Sequence, residues 1–280
     1  MSERLAAQAG TLAGLARRGR LRALSGRAGV DFASNDYLGL AASPAMTAAA
    51  QGALERGEPV GSGGSRLLRG NHPEHEALEA EAGGFFGSEG AGFWPTGFAA
   101  ISALRATVRL RRDAIFADAL IHASMHEGLK LSKAAHYLLP HNDVAAMDAA
   151  IAAWRASGGM GTPWIAVESL YSMDGDFAPL AALAQVAARH DALMLVDEAH
   201  ATGVFGPGGR GLVGNLANRD QIITLHTCGQ GAAGMAACCA CHHADDQTTG
   251  GTHTQRMDTD GRRNQTCLGQ REQAQAQCQP

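Results

Sequence analysis

From about residue 30 to residue 227, short apolar runs alternate with stretches of helical period. Asp113-Ala-Ile-Phe-Ala-Asp118 is one run ending in an acid, and His136-Tyr-Leu-Leu139, closed by Pro140, is another. Trp164-Ile-Ala-Val-Glu168 and Ala192-Leu-Met-Leu-Val-Asp197 are two more. Continuous apolar runs of this length suit strands buried on both faces of a parallel sheet. Between the last two, Pro179 to His190 places Leu180, Leu183 and Val186 at helical spacing, with Pro179 tolerated at a first turn. That strand–helix–strand unit should cross over right-handed. The pattern predicts the α/β class: a mainly parallel central sheet flanked by helices.

Open α/β sheets bind ligands beyond the carboxyl ends of their strands. Three predicted strand ends carry titratable residues there: Asp118 to His122, Glu168 to Asp174, and Asp197 with Glu198 and His200. Any one of them alone reads as a turn former or a helix cap. Asp197 differs, because it closes an apolar strand and its desolvation is costly without a cationic partner. A protonated pyridine nitrogen would be such a partner, with His200 in reach of a ring oxygen. An imidazole at a strand end, such as His122, can lie flat on a heteroaromatic ring, although a lone histidine is more often structural. Trp94-Pro-Thr-Gly-Phe-Ala-Ala100 leads into a predicted helix from Ala99 to Leu110. Gly97 would let the backbone approach an anion closely, where the helix start offers free N–H groups. The acid pair Asp197-Glu198 would also suit a metal-dependent ATPase, but no Gly-x-x-x-x-Gly-Lys-Ser/Thr loop occurs in the chain. Gly61-Ser-Gly-Gly-Ser-Arg66 follows no clear strand and is a poor dinucleotide fingerprint.

Composition changes the picture in three places. A net charge of −4 gives no basic field for nucleic acid, and no apolar run is long enough for a bilayer, so neither partner is expected and the cytoplasm is the default. Met1 to Leu24 is rich in Ala, Leu and Arg with Glu3 its single acid. That admits a transit peptide, but an amphipathic helix packed on the body is the reading we favour. Gly231 to Pro280 holds no Ile, Val, Phe, Tyr or Trp, and Leu268 is its only Leu. Such a segment cannot offset its ordering entropy by burial, so disorder is expected. All six cysteines lie at or after Cys228, and Cys238-Cys239-x-Cys241-His242-His243 matches no standard zinc spacing, so no metal site is expected. The abrupt change at a motif suggests a wrong reading frame or mis-joined exon. The expected division is an N-terminal helix and arm over 1–45, a large domain over 46–229, and an aberrant tail over 230–280.

Together the motifs resemble the α-oxoamine synthase family, enzymes of fold type I that use pyridoxal 5′-phosphate (PLP). The matching pieces are Asp31 to Leu40, Gly61 to Arg66 with Gly70-Asn-His72, Thr96 to Ala100, His122-Ala-Ser124, His141-Asn-Asp143, Tyr171-Ser-Met-Asp-Gly-Asp176, Val196 to Val204, and Thr224-Leu-His-Thr-Cys-Gly229, in the family's order over roughly 5–229. The resemblance implies catalytic roles for His122, stacked on the pyridine ring, Asp197, paired with its nitrogen, and His200, bonded to its ring oxygen. It places Gly97, Phe98, Ser172 and Thr227 on the cofactor, Thr227 near the phosphate. A substrate-binding arginine falls among Arg17, Arg18, Arg20 and Arg22. The implied reaction condenses L-alanine with pimeloyl-CoA, or a pimeloyl-carrier thioester, with decarboxylation, in a homodimer. The family's small C-terminal domain has no counterpart in the sequence. The lysine that should form the Schiff base falls at Gln230, whose amide nitrogen is delocalised into its carbonyl and cannot form an imine. Inactivity of this chain is the expectation. The rivals are a sister synthase joining glycine or serine to another acyl thioester, and a non-catalytic relative.

Overall fold

The computed structural model describes residues 6–24, 26, 28–101, 112–228 and 237–241, the last five by their backbone. The chain forms two compact units, Met1–Ser34 and Asn35–Pro280. In the first, α1 spans Ala6–Arg17, a shorter helix than the stretch to Leu24 suggests.

In the second unit, α2 (Pro44–Glu55) starts at Ser43, whose hydroxyl accepts the Met46 amide. Helix α3 (Pro73–Phe86) starts at His72 and leads to β1 (Gly90–Trp94). Helix α4 begins at Gly97 and is described through Ile101. Then follow β2 (Ala114–Asp118), α5 (Ala123–Leu131), β3 (Ala135–Leu139), α6 (Val144–Ala156), β4 (Pro163–Glu168), α7 (Leu180–His190), β5 (Leu193–Asp197), β6 (Ile222–Thr227) and β7 (Ala237–Cys241). The four strands and the helix expected from the apolar pattern are all present within a residue or so of their expected ends.

One sheet holds the strands in the order β1-β7-β6-β5-β4-β2-β3. Strands β3, β2, β4, β5 and β6 run parallel, and β7 lies antiparallel to both β6 and β1. Because side chains alternate along a strand, each central strand feeds two cores. On one face Phe116, Ile165, Val167, Met194 and Val196 pack with Met147 and Ile151 of α6 and Leu183 and Val186 of α7. On the other Ile115, Trp164, Ala166, Leu195 and Leu225 pack with Met125 and Leu129 of α5 and Ile101 of α4. No helix among the described residues is long and apolar enough to cross a membrane.

Two expectations are corrected. The apolar run at 136–139 predicts a strand buried on both faces, but β3 is the edge of the sheet and its residues are mostly exposed. It has one ladder neighbour, so it receives no cover from a second. The second correction is β7, which lies inside the stretch expected to be disordered. Ala237-Cys-Cys-Ala-Cys241 has no large aliphatic side chain, yet it pairs on both sides, with Thr227 opposite Ala237 in one ladder and Trp94 opposite Ala237 in the other. A strand between two neighbours has its backbone groups satisfied by both ladders, which does not require large aliphatic residues in its sequence.

The contrast between centre and edge is measurable. Ile165→Ala, on a fully buried side chain of β4, should cost about 2–5 kcal/mol in urea unfolding. Leu138→Ala, on the exposed edge strand β3, should cost less than about 1 kcal/mol.

Candidate functional site

The parallel register sets the strand ends level. Glu168 of β4 lies opposite Asp197 of β5, and Asp197 opposite Leu225 of β6. The chain leaves the sheet with its backbone still tied across it: the Ser169 amide donates to the Asp197 carbonyl at 2.9 Å, and the Glu198 amide to the Leu225 carbonyl at 2.8 Å. Asp197 is buried, and its Oδ1 accepts the Ala199 amide at 2.9 Å. Glu198, next in sequence, has a different task. It accepts the Ser169 hydroxyl at 2.7 Å and the amides of Leu212 and Val213 at 3.0 and 2.6 Å. Burial pushes its carboxyl up and these three donors pull it back. Gly211 sits at φ +89°, where a Cβ would come within 2.6 Å of Glu198 Oε2. Glu198 therefore pins the 205–213 loop.

Two histidines follow strand ends, His200 after β5 and His122 after β2. His200 Nδ1 lies 2.7 Å from the Tyr37 hydroxyl. Burial lowers the His200 pKa, and nearby His122 lowers it further. His122 caps α5, with Nδ1 at 2.7 Å from the Ser124 hydroxyl and 3.3 Å from its amide. Burial, then His126, lowers its pKa as well. Both imidazoles are thus held neutral, able to stack or to exchange hydrogen bonds without adding charge. Beyond them, α4 opens at Gly97. A Cβ there would lie 2.8 Å from Thr227 Cγ2, so only glycine lets the helix start this close to the end of β6. The Thr96 hydroxyl caps the helix by accepting the Ala99 amide at 3.0 Å, and Phe98 stays largely exposed. Ser172 is joined through its amide to Glu168 Oε2 at 3.2 Å.

The structure thus gathers Asp197, His200, His122, Gly97 and Thr227 at the strand ends, with Ser172 held through Glu168. The chemistry assembled there is a buried carboxyl, two imidazoles whose burial lowers their pKa, and a helix start at a glycine, which is the kind of end that receives an anion. Gln230 lies outside the described residues, as do the side chains of Cys238, Cys239, Cys241, His242 and His243. Arg17, Arg18, Arg20 and Arg22 lie in the first unit, Arg17 at the end of α1.

The family described as aminotransferase class I and II matches residues 27–249. The chain belongs to this family. The match runs past residue 229, where the sequence pattern suggests that family likeness ends, in keeping with the paired strand β7. The 8-amino-7-oxononanoate synthase of Aromatoleum aromaticum is 42% identical over 224 residues, 79% of this chain and 56% of that protein. The one from Burkholderia cenocepacia is 45% identical over 219 residues, 76% of this chain and 54% of that protein. Among solved structures, a serine palmitoyltransferase from Sphingomonas wittichii superposes with a TM-score of 0.73 at 28% identity, covering 86% of this chain and 63% of that one. The 8-amino-7-oxononanoate synthase from Francisella tularensis superposes at 0.62 and 27% identity, covering 76% and 58%. The chain spans about half the length of the curated relatives it matches.

Two residues beside these strand ends carry no role that the sequence reveals. Tyr37 sits in the Asp31–Leu40 motif, but only the fold brings it to His200, 163 positions away. Glu168 is one of several strand-end acids in the sequence. Burial, then the charge of Asp197, pushes its carboxyl up to about 8, while the nearby amides of Ser172 and His122 favour the charged form. Its Oε1 makes no hydrogen bond among the described residues. A carboxyl with this environment keeps its proton at neutral pH.

The pH dependence follows. The folded chain holds a proton on Glu168 that the unfolded chain gives up near pH 4.3. The stabilisation is complete below that pH and is lost as pH rises through about 8. Glu168→Gln mimics the neutral acid, so its melting temperature should fall less between about pH 5 and pH 9 than that of the parent chain. Above about pH 8 the variant should be the more stable of the two, by up to a few kcal/mol.

Proposed function

We propose that this chain carries the PLP pocket of an 8-amino-7-oxononanoate synthase, the acyltransferase of biotin biosynthesis that joins L-alanine to a pimeloyl thioester with decarboxylation. The observation that carries the reading is the buried Asp197 carboxyl, level with the end of β4, with His200 three residues on and His122 near His200. The names of the relatives at 42–45% identity support the choice of reaction. PLP supplies, when bound, an aldehyde that condenses with amines and a pyridine ring that takes up the electron pair left by a departing proton.

The residues present fit that group. Asp197 would face the ring nitrogen and keep it protonated, since a carboxylate and a pyridinium each relieve the other's burial. His200, held by Tyr37, would donate to the ring oxygen, and His122 would lie against the ring. The amides of Gly97 and Phe98, with the Thr227 hydroxyl, would hold the phosphate at the start of α4. Ser172 would close the pocket from the segment after β4. One of Arg17, Arg18, Arg20 and Arg22 would take a substrate carboxylate, and a second copy of the chain would complete the homodimer.

At Gln230 the family's anchoring amine is replaced by an amide. An amide cannot be attached to the aldehyde, and it cannot carry the α-proton. Loss of a general base alone costs about 10²–10⁴-fold in rate. The chain should therefore bind PLP without covalent attachment and turn over poorly. Borohydride reduction of the PLP-treated chain, followed by peptide mapping, should leave no pyridoxyl group at position 230, and Gln230→Lys should place one there. The same substitution should recover attachment more readily than turnover, which is assayed as alanine-dependent release of coenzyme A from pimeloyl-CoA. A pyridoxyl group on Lys130 or Lys133 of the parent chain, or strong activity with Gln230 in place, would refute this account. Turnover with glycine or serine and not with alanine would move the assignment to a sister synthase.

A further inference from the structure

Beside the pocket, at the end of β2, a second cluster of titratable groups is left unused by the chemistry above. His141 follows β3 and lies between two carboxylates. Its Nδ1 is 2.9 and 3.1 Å from the two oxygens of Asp118, and its Nε2 is 2.7 Å from Asp176 Oδ2. The neighbouring residue bridges the same two acids in parallel. The Asn142 amide donates to Asp118 Oδ2 at 2.7 Å, and its side-chain Nδ2 donates to Asp176 Oδ2 at 2.8 Å and to the Phe177 carbonyl at 3.2 Å. Asn142 takes a left-handed backbone, φ +54°, to do so. The Tyr171 ring meets His141 edge-on at 4.5 Å.

A carboxylate only accepts, so a ring nitrogen bonded to each acid acts as a donor, and the imidazolium carries a proton on both; Asn142 Nδ2 also lies 3.2 Å from Nε2. Asp118 is almost fully buried at the end of β2, whereas Asp176 is partly exposed on the segment after β4. The two ends of that segment are tied elsewhere as well: the Ser169 amide donates to the Asp197 carbonyl at 2.9 Å and its hydroxyl to Glu198, the Ser172 amide donates to Glu168, and Tyr171 and Ala178 pack in the core, while the segment closes on itself through the Ala178 amide to the Ser169 carbonyl and the Tyr171 amide to the Asp176 carbonyl, both at 3.0 Å.

We propose that His141 is a positioning residue: as an imidazolium it joins Asp118 to Asp176 and so holds residues 169–178, with Ser172, against the strand ends. The consequence for Ser172 as a cofactor contact rests on the reading under Proposed function; the bridge itself does not. Burial pulls the His141 pKa down, but the hydrogen bonds and charges of Asp118 and Asp176 outweigh it, and the net shift is upward. The bridge is then intact below the usual histidine range and is lost as pH rises through the raised value. The groups facing His141 are Asp118 from β2, and Asp176 and Tyr171 from the segment itself. The Tyr171 hydroxyl is pushed far up by burial and by Asp118, so it stays neutral throughout. Glu168 touches the same segment through Ser172 and titrates near 8, so the two groups must be separated experimentally.

The test is amide exchange of the 169–178 peptide in the cofactor-free chain, with the His141 ring titrated by NMR. The ring should titrate above about 6.5. Protection of the peptide, corrected for intrinsic exchange, should fall by roughly tenfold or more as the ring is neutralised. The fall should persist in a Glu168→Gln background. In His141→Gln, whose amide can donate to only one of the two acids, protection should be low and flat with pH while peptides of β4 and β5 stay protected. A ring that titrates at or below about 6.5, or a wild-type profile flat with pH, would overturn the proposal. So would a pH profile unchanged in His141→Gln. A chain that shows the pH-dependent protection but binds no PLP would keep the bridge and refute the cofactor reading instead.

Discussion

The site depends on one constraint: parallel strands must end at the same level, with a carboxyl buried where they end. Glu168 and Asp197 are partners in the ladder between β4 and β5, so their side chains leave the sheet side by side. Two adjacent buried carboxylates cannot both be charged without a cation. The pair resolves this by keeping the proton on Glu168, which is tied to the Ser172 amide and lies near the His122 amide. Asp197 stands beside that protonated acid at the mouth of the sheet. Its position then decides what kind of ligand suits the site.

The consecutive acids Asp197 and Glu198 show how strand geometry separates structure from function. Alternation sends them to different surroundings. Glu198 meets three donors and is consumed in fixing the loop that ends at Val213. Asp197 keeps its place at the strand ends, three residues before His200, which in turn lies near His122. In the same way, His226 of β6 is buried, stacked on Phe86 at 3.5 Å and bonded by Thr202 and Thr224, which makes it part of the packing of α3 against the sheet rather than of the pocket.

Position 230 raises a different question. The strand after it pairs with β6 and β1, and the family match continues to residue 249. The family match thus extends past the position where Gln230 would carry the anchoring role under the proposed function; a scaffold set by backbone ladders and apolar packing does not depend on a single side chain, whereas attachment of an aldehyde depends on a single amine.

The class of fold and the strand ends that matter were legible in the order of residues alone. Continuous apolar runs at 113–118, 164–168 and 192–197 can only be satisfied by burial on both faces, and an acid closing each run marks its carboxyl end. The residues of the proposed pocket were legible too, through motifs whose order along the chain follows the family. Three things came only from how the chain folds back on itself. Strand β3 lies at the edge of the sheet, and an apolar run does not reveal how many neighbours its strand will have. Strand β7 is admitted because a ladder on each side can order a strand of small residues whose own side chains promise little. And Tyr37 meets His200, Asp176 meets His141 and Asp197 meets Glu168, because hydrogen bonds and charge coupling act over a few ångströms while the residues that make them lie tens to more than a hundred positions apart in the chain.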